Sequence, residues 1–556
     1  MMHLPEPKNL PYKTLLADIE KGRIKIPQFQ RDYVWSKERA AGLIDSILKG
    51  YPIGTFITWK TKETLRVVKD LGGVVLPPVP DDDFAEYVLD GQQRMTSLFC
   101  ALKGVQIKRG KKTDDFAKIF VDLNASEHDQ IVVIDTADLE HGAYISLTNL
   151  INAGFTVLAG FDAKYHAKLE EYKQTLQGYN FSLIEVKEAP LDVATEIFTR
   201  INVGGKPLSL FEIMVAKTFD AKEEFDLSEK FEALVNRLRE VGYDTISDAT
   251  VLQIIALVIG KECKRQNILR LDKKRFIEEW PKVANAIEAA VDYFRGYYRI
   301  PVSKLLPYNS LLAPFAYFFY YHNDKPLNNK QVFLEDFFWR VGLGGRYSSS
   351  VEGKLAQDIK RIEQILSDTK PSYDWSIDTS AQFIKDNGWF NAGRSYIKAI
   401  LCIMAYQQPK SFIDGSIVHI SNDWLKQANS RNYHHYFPRA FLRKQGLGDE
   451  HSNHIGNITI VDDFLNKRKI GAQAPSLYMS QFSDQNPNIE IHMKTHLIEL
   501  NEWGILEDNY EVFLTKRCEK LSAEIKKRLV LREQDTNANQ SVNIEDIDKL
   551  ALEADL

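Results

Sequence analysis

Residues 432–438 read Asn432-Tyr433-His434-His435-Tyr436-Phe437-Pro438, and after a loop the chain continues with Gly456-Asn457-Ile458-Thr459-Ile460-Val461 and Asn466-Lys467-Arg468-Lys469. This order predicts a β-hairpin followed by a helix that begins near Asn466. Because neighbouring residues on a strand point to opposite sides, His434 and His435 are expected to face different surroundings. The functional prediction depends on the imidazoles and amides of this stretch.

These residue types match the chemistry of phosphodiester hydrolysis. The reaction needs a base that deprotonates water, a divalent cation that neutralises the scissile phosphate, and a positive charge near the developing oxygens. A neutral imidazole supplies the base, whereas an amide oxygen and a second imidazole can hold one Mg²⁺ or a similar ion such as Mn²⁺. The stretch therefore predicts a one-metal nuclease site, which Asn466 would close from the side opposite the imidazoles.

The stretch also resembles a known family. His434, His435, Asn457 and Asn466 are similar to the ββα-metal (HNH, or His-Me finger) nuclease motif, and residues 432–478 resemble the C-terminal domain of the GmrSD class of type IV restriction enzymes. The resemblance implies that His435 is the general base and that His434 and Asn466 are metal ligands. It implies that Asn457 fixes the hairpin and orients the base. In that family an aspartate is common at the position of His434.

The charge of the chain is unevenly distributed. The net charge is -5, but phosphates are bound by local basic patches and not by the total. The hairpin stretch carries Arg439, Lys467 and Arg468, which we expect to contact DNA. Lys469 would approach the phosphate, as the family resemblance implies.

Length and composition limit the class of protein. A chain of 556 residues predicts two to four domains, and 44% hydrophobic with 26% charged residues is typical of a globular protein. No apolar run is long enough to cross a bilayer, and the first residues lack a signal-peptide core, so a cytoplasmic location is expected. The four cysteines have no paired spacing, which argues against a disulfide framework or structural zinc.

A second informative stretch is Tyr87-Val88-Leu89-Asp90-Gly91-Gln92-Gln93-Arg94-Met95-Thr96-Ser97-Leu98. It predicts a strand that ends at Asp90, a tight turn at Gly91, and a helix toward Leu102. The start of such a helix, together with Arg94, favours an anion such as a phosphate. Asp90 could hold a divalent ion. Gln92 and Gln93 could position water or hydrogen-bond a base.

Two further segments complete an N-terminal set of motifs. Ile26-Pro27-Gln28-Phe29-Gln30-Arg31, the turn at 90–94, and Phe198-Thr199-Arg200-Ile201-Asn202-Val203-Gly204-Gly205-Lys206 together resemble the ParB-like N-terminal domain of GmrSD-type proteins. The resemblance implies binding and hydrolysis of a nucleoside triphosphate, such as GTP or UTP, and sensing of DNA modification. The residues it assigns to this role are Gln30, Arg31, Asp90, Gly91, Gln92, Gln93, Arg94, Arg200, Asn202 and Lys206. The alternative is that Gln30, Arg31, Gln93 and Arg94 form a buried polar network that joins the segments.

The predicted fold class is α+β, with a ParB-like α/β domain, a helical middle region and a C-terminal ββα-metal (HNH) domain set within helices. The predicted domains are residues 1–209 for the nucleotide-binding sensor, 210–380 for a helical connector, 381–532 for the nuclease, and 533–556 for an acidic disordered tail. The periodicity from 208 to 368 is helical, and the aromatic run 315–321 predicts a buried helix. Further helices are predicted over residues 351–366 and 395–406, and a strand over residues 130–135.

The predicted function is a modification-dependent endonuclease that cleaves or nicks double-stranded phage DNA, with regulation by the nucleotide. A homodimer is compatible with this prediction. One alternative is an SspE-like nickase and NTPase that senses phosphorothioate DNA. Another is a non-catalytic, NTP-switched DNA-binding regulator. The pairs His451 and His454, and His492 and His496, are expected to be solvated or structural, since no cysteine lies near them.

Overall fold

The computed structural model describes residues 5–27, 33–63, 65, 70–71, 74–78, 83–109, 112–126, 128–201, 209–220, 222–421, 434–461 and 470–536. The chain divides into two compact units, residues 1–227 and residues 228–556. Among the described residues, no helix has both the length and the apolar composition that a bilayer crossing requires.

The first unit combines sheets with helices. Its strands are β1 (Glu6–Pro11), β2 (Ile24–Lys25), β3 (Phe56–Thr61), β4 (Asp70–Leu71), β5 (Val74–Val75), β6 (Ala85–Asp90), β7 (Gln106–Arg109), β8 (Lys112–Asp115), β9 (Phe120–Asp122), β10 (Val132–Val133), β11 (Tyr144–Ser146) and β12 (Asn180–Lys187). Its helices are α1 (Tyr12–Glu20), α2 (Lys37–Leu48), α3 (Gln92–Lys103), α4 (Leu147–Asn152), α5 (Phe155–Leu158), α6 (His166–Gly178), α7 (Leu191–Ile201) and α8 (Leu210–Thr218).

The main sheet of this unit has the order β1-β12-β3-β6-β2. The pair β3 and β6 is antiparallel, whereas β12 runs parallel to β3 and β2 runs parallel to β6. Alternate residues of these strands, such as Phe56, Val88 and Leu183, are buried in one core with α1, α2 and α3. This core fixes the position of the turn between β6 and α3.

In its described residues, the second unit is helical apart from one small hairpin. Its helices are α9 (Leu227–Glu240), α10 (Asp248–Gly260), α11 (Arg265–Leu269), α12 (Lys273–Gly296), α13 (Leu312–Tyr321), α14 (Asn328–Leu343), α15 (Val351–Leu366), α16 (Ala381–Asn387), α17 (Ser395–Tyr406), α18 (Arg439–Lys444), α19 (Asp449–Ser452), α20 (Pro475–Gln485), α21 (Ile489–Lys494), α22 (Tyr510–Lys526) and α23 (Glu533–Thr536). The hairpin consists of β13 (His434–His435) and β14 (Ile458–Thr459).

Aromatic side chains form the core around α12, α13 and α14. The rings of Phe294 and Phe315 lie 4.8 Å apart, and those of Tyr298 and Phe338 stack at 4.4 Å. Phe315 and Phe338 are completely buried. The prediction of a buried aromatic helix is therefore confirmed.

The start of the predicted disordered tail is ordered, which corrects that prediction for residues 533–536. These residues form α23, and Asp535 accepts hydrogen bonds from Arg340, at 2.9 Å, and from the backbone N–H of Ile377, at 3.1 Å. The Arg340 side chain has no exposed surface. Arg340 also pairs with Asp336 at 2.9 Å. Asp535 supplies a second carboxylate to this buried guanidinium, which ties the start of the predicted tail to the core. Residues 537–556 lie outside the described residues.

Candidate active site

The predicted hairpin forms at the two histidines. β13 pairs antiparallel with β14, with His434 opposite Thr459 and His435 opposite Ile458. The two imidazoles face different surroundings, as the strand period predicts. His434 contacts the rings of Phe412 and Tyr478, whereas His435 lies beside Asn453.

Asn457 holds the hairpin together from inside the loop. Its side chain is fully buried, and its Oδ1 accepts a hydrogen bond from the backbone N–H of Phe437 at 2.8 Å. Its Nδ2 donates to the backbone carbonyls of Phe437, at 3.0 Å, and Ser452, at 2.9 Å. One side chain therefore joins the residues after β13 to the loop before β14, which is the geometry expected of a residue that fixes the hairpin.

Asn453 fixes the orientation and tautomer of the candidate base. Its Nδ2 donates to the carbonyl of Phe390 at 3.1 Å, so its Oδ1 is the atom that faces His435 Nε2, at 3.3 Å. An amide oxygen only accepts, so Nε2 carries the proton and the lone pair of neutral His435 is on Nδ1. Asn453 was not singled out from the sequence. Its role depends on an imidazole eighteen positions earlier and on the carbonyl of Phe390 in the loop between α16 and α17, which no local pattern reveals.

The surroundings of His435 favour the neutral imidazole. Burial lowers its pKa, the neighbouring Arg439 guanidinium lowers it further, and the hydrogen bond with Asn453 opposes both effects. Arg439 and Arg443 both bind Asp449, each at 2.9 Å, and these contacts lower the pKa of that carboxyl. Because its pKa is held below the ordinary value, His435 is neutral at pH 7 and able to accept a proton.

His434 fits the chemistry expected of a metal ligand. Burial lowers its pKa to about 3, so its imidazole is neutral at any physiological pH. The Thr459 hydroxyl lies 2.7 Å from His434 Nδ1 and 3.5 Å from the His434 carbonyl, to which it can donate while accepting from Nδ1–H. Nε2 then carries the lone pair, and this buried atom has no hydrogen-bond partner in the described part of the chain. An imidazole oriented through its other nitrogen in this way is typical of metal-binding histidines.

Several predicted residues lie outside the described residues. They are Asn466, Lys467, Arg468 and Lys469 of the hairpin stretch. Within the ranges that the structure describes, no group of three or more His, Cys, Asp or Glu side chains is arranged to hold a metal ion. The metal site of His434 and Asn466 therefore stays a prediction.

The other histidines of this region have structural contacts, as expected. His454 is buried, and its Nε2 lies 3.1 Å from the carbonyls of Ile384 and Lys385. His496 binds the carbonyl of Lys410 at 2.7 Å, and His492 binds the Asn486 amide at 2.9 Å.

In the first unit, the predicted strand, turn and helix around Asp90 are confirmed as β6, Gly91 and α3. Gly91 adopts a left-handed backbone, with φ 91°, which a residue with a Cβ atom rarely tolerates. Arg94 extends across this turn and donates to the carbonyls of Ile53, at 2.8 Å, and Thr55, at 3.0 Å. It also pairs with Asp90 at 3.1 Å. These contacts give Arg94 a structural role, and its binding of a phosphate stays a prediction.

Gln92 and Gln93, beside Arg94 at the start of α3, form further hydrogen bonds. Gln93 Oε1 accepts hydrogen bonds from the backbone N–H groups of Val34, at 2.9 Å, and Trp35, at 3.3 Å, while its Nε2 donates to Gln92 Oε1 at 3.2 Å. Both glutamines are buried. The network joins the start of α3 to the segment around Val34, as the alternative of a buried polar network predicts for Gln93. The part of that alternative that involves Gln30 and Arg31 stays a prediction, because both lie outside the described residues.

Among the described sensor residues, Arg200 is not brought to this turn. Arg200 is an exposed residue of α7 that pairs with Glu196 at 2.6 Å. Gln30, Arg31, Asn202 and Lys206 lie outside the described residues.

Gly54→Ala is expected to disrupt the turn. A Cβ atom at this position, where φ is 87°, would lie 2.2 Å from Arg94 Nη1 and displace the guanidinium from its carbonyl partners. We expect the free energy of unfolding to fall by about 2–4 kcal/mol, from backbone strain and lost hydrogen bonds together. Chemical denaturation measures this change.

Gly50→Ala is the matched control, because φ is 71° there and a Cβ atom would meet nothing within 4 Å. Its free energy of unfolding should fall by about 1–2 kcal/mol, from backbone strain alone. If the free energy of unfolding falls equally in the two variants, Arg94 does not stabilise the turn.

Residues 12–219 match the family described as the GmrSD restriction endonuclease, N-terminal domain. The chain is also 25% identical over 543 residues to an uncharacterized protein of Methanocaldococcus jannaschii, and the alignment covers 86% of this chain and 88% of that protein. The family match includes the turn at Asp90, and the alignment with the archaeal protein extends into the second unit.

Proposed function

We propose that this chain, which belongs to the GmrSD restriction endonuclease family through residues 12–219, is a modification-dependent endonuclease that cleaves or nicks foreign phage DNA. The proposed site of hydrolysis is the hairpin of β13 and β14. The observation that carries the proposal is the geometry of His435, whose neutral imidazole is oriented by Asn453 on a hairpin that Asn457 holds together. Regulation by a nucleoside triphosphate, GTP or UTP, belongs to the N-terminal domain in this proposal.

His435 would act as the general base. Its Nε2–H bond to Asn453 leaves the Nδ1 lone pair to take a proton from the attacking water. As the water attacks the phosphorus atom, the imidazole gains a charge, which the Asn453 carbonyl oxygen stabilises through the same hydrogen bond. The base thus begins neutral and ends as an imidazolium held in one orientation.

Cations around the hairpin would neutralise the negative charge of the phosphate. His434 and Asn466 would hold one Mg²⁺ or Mn²⁺ ion, which when bound neutralises charge on the scissile phosphate. Arg439, Lys467 and Arg468 would contact the DNA backbone, and Lys469 would approach the phosphate. Arg439 is partly exposed and pairs with Asp449, so a phosphate must compete with that carboxylate for its guanidinium.

Asn453→Asp should shift the pH dependence of cleavage. A carboxylate beside His435 Nε2 stabilises the imidazolium, so the pKa of the base rises. The wild-type kcat/KM should decline only at a pH below the ordinary range of an imidazole, because burial lowers the pKa of His435. In the variant the decline should begin at higher pH, with recovered activity in alkaline buffer. If kcat/KM falls by the same factor at every pH and the pH profile does not shift, this positioning role of Asn453 is contradicted.

The proposal is tested by cleavage of paired modified and unmodified DNA, with Mg²⁺ or Mn²⁺ and with or without each nucleoside triphosphate. We expect metal-dependent nicks or breaks in one modified substrate, with a rate that responds to the nucleotide. Comparison of phosphorothioate with glucosylated or hydroxymethylated cytosine DNA separates an SspE-like specificity from the others. DNA binding and nucleotide turnover without cleavage under any condition would overturn the endonuclease and favour the non-catalytic regulator.

A further inference from the structure

A groove of about 860 Å³ lies within the second unit, and its lining residues do not include those of the hairpin strands. Its first wall is the C-terminal end of α9 with residues 240–245, and its second is the C-terminal end of α12 with residues 299–304. Residues 405–421 form the third wall. We refer to this feature as the basic groove because of the side chains that line it.

Three arginines line the basic groove, and all are exposed: Arg239, Arg295 and Arg299. Arg239 donates to the Asn236 amide oxygen at 2.8 Å, and Arg295 lies 3.6 Å from Asp292. Among the described residues, neither Arg239 nor Arg299 forms an ion pair with a carboxylate. Lys304 also lines the groove, as do the carboxylates of Glu240 and Asp244. Four cationic side chains therefore line the groove together with two acidic ones, which leaves an excess of positive charge.

Arg299 is fixed in place by uncharged contacts. Its Nη1 donates to the Tyr406 carbonyl at 3.1 Å and to the Gln408 amide oxygen at 3.3 Å, and its guanidinium lies 4.9 Å from the centre of the Tyr406 ring. Its backbone is left-handed, with φ 54°, which is strained for a residue with a Cβ atom. These contacts orient the cation without a counter-charge, and such a cation is suited to an anionic ligand.

The third wall connects the basic groove to the hairpin region. The backbone N–H of Lys410 donates to the Thr495 hydroxyl at 3.0 Å, and the Lys410 carbonyl binds His496 at 2.7 Å. Lys410 also pairs with Ile417 in an isolated β-bridge. The wall ends at Ser421, from which the chain continues through residues 422–433 to His434. A strand of DNA held in the groove would therefore be bound by the same unit that carries the hairpin.

We propose that the basic groove binds the phosphodiester backbone of DNA outside the cleaved phosphate. The proposal rests on the proposed function and adds a second contact with the same substrate. Guanidinium groups bind phosphate oxygens in a bidentate geometry, and each phosphate neutralised by a protein cation releases counterions. The groove thus supplies affinity that does not depend on sequence, in line with a restriction enzyme that selects DNA by its modification.

The test uses the cleavage-inactive His435→Ala protein and a fluorescent 30-base-pair duplex, with affinity measured by anisotropy across a salt series. The combined substitution of Arg239→Gln, Arg295→Gln and Arg299→Gln should reduce the slope of log Kd against log salt by roughly 2–3 and weaken binding at least about tenfold near 0.1 M salt. The matched control replaces three cations of α12 that do not line the groove, by Lys274→Gln, Arg275→Gln and Lys282→Gln, and should leave the slope nearly unchanged. Thermal unfolding confirms that both proteins are folded.

An unchanged salt slope in the folded groove variant would overturn the proposal. Equal losses of DNA affinity in the groove variant and the control variant would overturn the proposal as well, because they would show only a general effect of net charge. Competition by polyglutamate as strong as that by DNA would show that the groove binds acidic polymers in general, and would likewise overturn it. Since binding is measured without cleavage, a groove that binds DNA in a chain that never cuts DNA would refute the proposed function and leave this inference intact.

Discussion

Asn457→Ala should lower the free energy of unfolding of the second unit by about 3–5 kcal/mol. The substitution removes three hydrogen bonds from a fully buried side chain and leaves the Phe437 N–H, the Phe437 carbonyl and the Ser452 carbonyl without their partner. Each buried polar group left unsatisfied costs roughly 1–3 kcal/mol. Because the same bonds hold the loop between β13 and β14, cleavage should also be lost at temperatures at which the variant is still folded.

Asn457→Asp is the matched control for this result, because it keeps the shape and the Oδ1 acceptor but places a carboxylate oxygen opposite two carbonyls. Their repulsion favours the protonated acid and raises the pKa of the new carboxyl in the folded state. The deficit in stability should therefore be largest above that folded-state pKa and shrink as the pH falls through it. Urea unfolding at pH 5 and pH 8 measures both effects. If the free energy of unfolding of the Asn457→Ala protein lies within about 1 kcal/mol of the wild-type value, the structural role of Asn457 is contradicted.

His435→Ala should reduce the rate of DNA cleavage by about 10²–10⁴-fold, the usual contribution of a general base. The imidazole has one hydrogen bond to Asn453 at 3.3 Å, so its loss should disturb the fold much less than the loss of Asn457. Single-turnover cleavage at saturating metal measures the rate, and DNA binding by the same protein serves as the control. Equal losses of binding and cleavage would indicate a structural role for the imidazole.

Local patterns in the sequence predicted most of the helices. α15 and α17 span residues 351–366 and 395–406, as the sequence predicts. α15 buries one apolar face, whereas α17 is buried on almost every side. Strand ends were predicted less well. The run 130–135 predicted a longer strand than Val132–Val133, because the length of this strand depends on its pairing with Phe120 and Val121.

The candidate site was predicted in part, for a similar reason. The hairpin and the opposite orientation of the two histidines follow from the period of a strand, and the contacts of Asn457 agree with the role that the family resemblance implied. The partner of His435 was missed, because Asn453 contacts it only through the fold. Arg94 was expected to face an anion, but its guanidinium is occupied by the carbonyls of Ile53 and Thr55, about forty positions earlier in the chain.

Chemical rescue shows whether the His435 imidazole takes the proton from water during DNA cleavage. The His435→Ala protein is assayed on the cleaved substrate with increasing concentrations of free imidazole, which can occupy the space left by the truncated side chain. Cleavage should return in proportion to the neutral imidazole present, and the His434→Ala protein should not be rescued. Cleavage by the His435→Ala protein at the wild-type rate, with no imidazole added, would contradict this role of His435.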